Sequence, residues 1–176
     1  MTPKRWAAVI GVLLAALIGA SLIYYQMIHA GSWSEERQAQ QQAANAAGLT
    51  EIGKTTKYVW DKPYWIVEGK NEAGEDLYVF IELSKEETAE GSVASAEPRI
   101  IKATEAYGKE NLIASFSAQK PDADIKRIQP GTLNGELVWE VYYSRKEDMT
   151  KYYYDFYKFG DGTFIDQYKL PAKHAG

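Results

Sequence analysis

The chain has 176 residues, with 24 acidic and 20 basic side chains, 13 tyrosines, 5 tryptophans and no cysteine. The missing cysteine excludes disulfide frameworks, thiolate metal sites and cysteine nucleophiles. Every acidic residue and 18 of the 20 basic ones lie beyond residue 28, so that part carries a net charge of −6, a sign that argues against nucleic acid and anionic polymers as general partners.

The first element is apolar. From Trp6 to Ser34 the chain has no Asp, Glu, Lys or Arg, and its most apolar part, residues 6–28, is 23 residues long. As a helix that is roughly 34 Å at about 1.5 Å per residue, enough to span a hydrocarbon core of about 30 Å. Lys4 and Arg5 precede it and Glu35 and Glu36 follow. Residues 1–5 are therefore expected in the cytoplasm, 6–28 as a single transmembrane anchor and the rest outside the cell membrane. A cleaved signal peptide would need an apolar region of about 7–15 residues ending in small residues spaced like A-x-A. Here Ile18 stands before Gly19-Ala20, and Ile28 before His29-Ala30.

Beyond the anchor, Ser32-Trp33-Ser34-Glu35 fits a capping box, and a helix rich in Gln and Ala is expected to run to Gly48. Its apolar face is mostly alanine, which suits close packing on a sheet or continuation of the anchor. EIGKTTKYVW, YWIVEGK and DLYVFIEL then read as strands, separated by turns at Asp61-Lys62-Pro63 and Asn71–Gly74. The stretch from Lys85 to Glu97 is charged and lacks periodicity, and so reads as a connection. RIIKATEA reads as a short strand. KENLIASFSAQ reads as a helix with Leu112, Ile113 and Phe116 on one side, stopped by Pro121. DIKRIQPGTL, ELVWEVYYSR, KYYYDFYKF and TFIDQYK complete the series, with Asn134-Gly135 a strong hairpin signal.

The order helix, strand, strand, strand, strand occurs twice. A shift of 74 residues lays Trp65 on Trp139, Val67 on Val141, Tyr78 on Tyr152 and Phe80 on Tyr154. The expected class is α+β, with two tandem units of one helix on an antiparallel four-stranded sheet. They cover 32–107 and 108–170, and 171–176 form a tail.

Catalytic parts are scarce. His29 and His174 have neither triad nor metal spacing, and no G-x-S-x-G, S-x-x-K or phosphate-binding glycine loop occurs. The expectation is a protein that is not an enzyme and has no cofactor and no metal. What remains is a surplus of aromatic side chains on strands, since Tyr and Trp anchor protein interfaces. Tyr142, Tyr152, Tyr154 and Tyr157 are the candidate partner-binding residues.

These residues resemble a known family. The N-terminal anchor, KPYWIVEGKNEAGEDLYVFIE and LVWEVYYSRKEDMTKYYYDFYKFGDG are similar to the TseB (YpmB-like) cell-wall elongation regulators. The resemblance implies tandem cystatin-like or PepSY-like folds outside the cytoplasmic membrane. It also implies a non-enzymatic role in cell elongation through contact with a class B penicillin-binding protein. A PepSY-type inhibitor or chaperone of an exported peptidase is the alternative. The Q-x-V-x-G loop of a cystatin-type inhibitor does not occur.

Overall fold

Alternating apolar residues commit this chain to sheets with two distinct faces, and two helices supply cover. The structure is a computed structural model that describes residues 17, 18, 20, 21, 24, 33–83, 97–146 and 149–171. The chain divides into two compact units, Met1–Gln38 and Ala39–Gly176. In the first, Leu17, Ile18, Ala20, Ser21 and Tyr24 are helical and exposed. The rest of the expected anchor, the cytoplasmic tail and Ser32 of the expected capping box lie outside the described residues. Among the described residues no helix is long and apolar enough to cross a membrane.

Helix α1 covers residues 33–47 and stops at Gly48, whose φ of +62° ends it in the left-handed region. Within the second unit its Ala39 and Ala43 are buried against Trp65, Val67, Leu77, Val79 and Ile81. Alanine is what permits so close an approach, so the thin apolar face is a packing face.

Strands β1 (Leu49–Val59), β2 (Pro63–Asn71), β3 (Asp76–Glu82) and β4 (Arg99–Lys102) form an antiparallel meander in that order. The expected strand RIIKATEA is shorter than its composition suggests. After Lys102 the chain tightens into a 3-10 turn at Ala103–Glu105, closed by the Ala106 N–H on the Ala103 carbonyl at 3.3 Å. The expected connection falls largely on residues 84–96, outside the described ones.

Helix α2 (Lys109–Gln119) matches the expected span. Leu112 and Phe116 are buried, but Ile113 is 38% exposed, because a position one residue from Leu112 is turned about 100° away from it. The second meander follows as β5 (Ala123–Leu133), β6 (Glu136–Lys146), β7 (Thr150–Lys158) and β8 (Phe164–Lys169), again in sequential antiparallel order. Asn134 (φ 52°) and Gly135 (φ 80°) make the two-residue β5–β6 hairpin. Pro130 is tolerated opposite Trp139 because β5 is an edge strand.

The two halves are copies in structure. Trp65 and Trp139 lie on second strands and face the helix of their own sheet, as do Val67 and Val141. Tyr78, Phe80, Tyr152 and Tyr154 lie on third strands and face away. One α+β protein with two tandem units of a helix and an antiparallel four-stranded sheet is the observed class.

The halves differ in what covers the second face. In the first sheet Tyr64, Ile66, Tyr78 and Phe80, opposite α1, join the large core with Leu112, Phe116, Trp139 and Phe159. Tyr78 meets Trp139 and Phe159 edge-on at 5.9 and 5.2 Å. The Trp139 indole donates to the Tyr107 carbonyl at 2.9 Å, and the hairpin tip accepts from Arg99 at the Gly135 carbonyl, also at 2.9 Å. The second sheet packs its Trp139, Val141, Tyr143, Tyr153, Asp155 and Tyr157 face under α2. Its other face is buried around Leu133, Val138, Glu140 and Phe156, and open in part at Tyr152 and Tyr168.

Candidate interaction surface

On that open face β6 and β7 stand in register with Tyr142 opposite Tyr154. Their rings stack at 4.8 Å and 25°, and Tyr152 stacks on Tyr142 at 5.8 Å and 19°. The Arg127 guanidinium from β5 lies 5.7 Å from the Tyr142 ring, a favourable cation–π position. From the turn after β1, Trp60 arrives edge-on to Tyr154 (5.3 Å), Phe156 (4.9 Å) and Tyr168 of β8 (5.3 Å). Phe156 is the buried floor, Tyr152 and Tyr168 are each 39% exposed, and Trp60, Tyr142 and Tyr154 are half-buried. Rings fixed by other rings bind with little further loss of rotamer freedom.

Beside this ladder lies a cleft of about 380 Å³, lined by residues 56–60 of the first meander with Arg127, Gln129, Glu140 and Tyr154. Glu140 sits in its wall, 2% exposed. Arg127 Nη2 and Gln129 Nε2 both donate to Glu140 Oε1, at 3.0 and 3.1 Å. Burial pushes the Glu140 carboxyl above its ordinary range, and Arg127 works against the rise. The Tyr58 phenol is pushed up by its own burial and then by Glu140 beside it, although the two do not reach hydrogen-bond geometry. The Tyr58 hydroxyl and Thr56 Oγ1 are buried with no hydrogen-bond partner.

Three of the four expected residues, Tyr142, Tyr152 and Tyr154, therefore come together. Tyr157 does not join them. It lies on the opposite face, in register with Trp139, is 3% exposed and packs on Phe116. Its hydroxyl donates to Asp155 at 3.2 Å. Residues of odd number on β7 point under α2, so Tyr157 is a core residue and not an interface residue. Trp60, Tyr58, Arg127 and Glu140 were not singled out in advance. Trp60 and Tyr58 reach this face from the other half of the chain, and no local pattern signals such a crossing.

A second polar cluster lies under α2. Asp155 is fully buried and accepts from Lys120, from the Tyr143 hydroxyl at 3.0 Å and from Gln167 Nε2 at 2.9 Å, besides Tyr157. Every partner belongs to the protein, so the cluster fixes the end of α2 on the sheet. Among the described residues no group of three or more His, Cys, Asp or Glu could hold a metal ion.

The fold and this face define a tandem α+β protein with an aromatic sheet face left partly uncovered. Residues 38–82, which hold the end of α1 and β1 to β3, match the cell wall elongation regulator TseB-like domain. The fold is similar to the solved structure of the YpmB protein from Bacillus subtilis, with 20% identity and a TM-score of 0.60, covering 74% of this chain and 96% of that one. The sequence likeness to the TseB-like domain thus lies in the first half of the chain, and the likeness to YpmB is one of fold. No curated protein sequence matches it.

Proposed function

We propose that this chain is a non-enzymatic regulator of cell-wall elongation, held at the cell membrane by residues 6–28 with its N-terminus in the cytoplasm. Its two extracytoplasmic units, 32–107 and 108–170, are PepSY-like or cystatin-like domains, and the second contacts a class B penicillin-binding protein. The observation that carries this reading is the stacked set Tyr142, Tyr152 and Tyr154, open on the second sheet of a TseB/YpmB-like chain. Exposed, mutually braced aromatic rings are what a modest protein interface needs. Two proteins confined to one membrane meet at raised effective concentration, so a modest interface is enough.

The chain has no cysteine, so Tyr152→Cys would carry the only thiol. Crosslinking through that thiol in membranes is expected to recover a class B penicillin-binding protein. Recovery of none, while a control cysteine at Lys126 gives the same background, overturns the reading.

A further inference from the structure

Among the described residues Glu140 and Asp155 are buried carboxylates, and they are held differently. Asp155 takes donors on both oxygens, Lys120 and Tyr157 on one and Tyr143 and Gln167 on the other. Glu140 takes its hydrogen bonds from Arg127 and Gln129 on Oε1 alone. The Tyr58 phenol acts on the same carboxylate, yet its hydroxyl meets no group in hydrogen-bond geometry. A proton on Oε2 displaces neither existing bond, and the Tyr58 oxygen beside it can accept.

The surrounding charges isolate this carboxylate with one cation. From β5 come Arg127 and Gln129, from β1 Tyr58 and from β7 Tyr154. Burial pushes both phenols up, so they stay neutral. Lys57 reaches over the Trp65 ring, and Asp61 accepts from the Gly135 N–H at 3.3 Å. Lys126 is paired with Asp124, and Asp166 of β8 stands beyond Phe156 in the row Glu140, Phe156, Asp166. Arg127 alone therefore offsets Glu140.

That arginine is not buried. Its side chain is 47% exposed, and its guanidinium lies 5.7 Å from the Tyr142 ring, in the stacked set of the candidate interface. One end of the ion pair is in the core and the other is on the partner face. Loss of the buried charge leaves a cation on that face without its counterion. Burial favours that loss by holding the Glu140 carboxyl above its ordinary range.

We propose that Glu140 is a proton-operated switch for the partner face: charged, it ties down Arg127, and protonated, it releases the guanidinium to a carboxylate of the partner. The inference rests on the reading of this face as a partner surface, and the first arm of its test does not need the partner.

That arm follows the ¹H–¹⁵N signal of the Arg127 Nε–H in the full chain in detergent, assigned by its loss in Arg127→Lys. One sigmoidal shift is expected between pH 7 and about 4.5. In Glu140→Gln, whose amide stands in for the protonated carboxyl, the signal should keep its low-pH position throughout. The second arm repeats the Tyr152→Cys crosslinking in membranes. At pH 7 the protein that also carries Glu140→Gln should capture about threefold more partner, in the range of one exposed ion pair, and at about pH 4.5 equally much. An Arg127 signal that stays still, or that titrates equally in Glu140→Gln, overturns the switch. A titrating signal with equal capture at pH 7 overturns the release to a partner. A titrating signal with no partner captured at either pH overturns the partner surface itself, and its regulation with it.

Discussion

Tyr58 closes on Gly131 so tightly that a Cβ there would stand 2.4 Å from the ring's Cζ. Through this contact the end of β1 lies against the face of the second sheet opposite α2. Gly131→Ala would force the ring or the β5 backbone to move, and Tyr58 is 2% exposed, with no room to retreat. A loss of about 1–3 kcal/mol is expected, as for other overpacked cores. Denaturant unfolding measures it, and an unchanged midpoint would show that Tyr58 does not seat there.

The tyrosines of β7 should separate into two groups. Tyr157→Ala empties a site against Phe116 and strips a donor from Asp155, and should cost about 3–5 kcal/mol. Tyr152→Ala removes a ring that is 39% exposed, and should stay within about 0.5 kcal/mol of the parent. Thermal melts of the two variants, run beside the crosslinking experiment, distinguish loss of fold from loss of contact.

Lys120 and Asp155 form an ion pair whose carboxylate is fully buried. Lys120→Met leaves that charge to the neutral donors Tyr143, Tyr157 and Gln167. Removing one partner of a buried pair costs about 3–5 kcal/mol. Lys120→Met combined with Asp155→Leu should cost less than the two single changes added together, which a double-mutant cycle in urea would read. Strict additivity would remove the pair from any role in fixing α2.

Stability should depend on pH through Glu140. Burial raises its folded pKa above the ordinary value of 4.5, so the folded state holds this proton more tightly than the unfolded chain does. The contribution is fully present below about 4.5 and is lost as pH rises through the raised folded value. Glu68, half-buried and raised for the same reason, adds in the same direction. Relative to Glu140→Gln, the parent should therefore gain stability as pH falls from 7 toward 4.5. Melting curves of the pair across that window measure the difference, and a constant gap would contradict it.

Most of the fold was legible because strands announce themselves by alternation. The β2 run YWIVEGK, the Asn134-Gly135 hairpin and the α2 pattern needed only local rules. The 74-residue repeat was legible too, since Trp65 and Trp139 occupy equivalent positions on the second strands of the two sheets. The face carrying the site was harder. Alternation says that Tyr153, Asp155 and Tyr157 share a side, but it does not say which side a helix covers. Tyr142 and Tyr157 can be assigned to opposite faces only once the β6–β7 register is known, and that register pairs Tyr142 with Tyr154. The cleft was illegible for a different reason. Its walls join residues 56–60 to Arg127, Gln129 and Glu140, a proximity created by the packing of two halves distant in sequence.

The middle strands of the first sheet, β2 and β3, are covered on both sides: Ala39 and Ala43 close one, and Leu112, Trp139 and Phe159 help close the other. A ribosome makes the N-terminal half first, at about 5–20 residues per second. Until the chain has grown past Phe159, Tyr64, Ile66 and Phe80 lack part of the cover that the second half supplies. For those seconds the nascent chain presents an apolar sheet that a holding chaperone would recognise. Synthesis of the β7–β8 turn, which holds Phe159 against Tyr78 and Phe80, is the step that completes the cover.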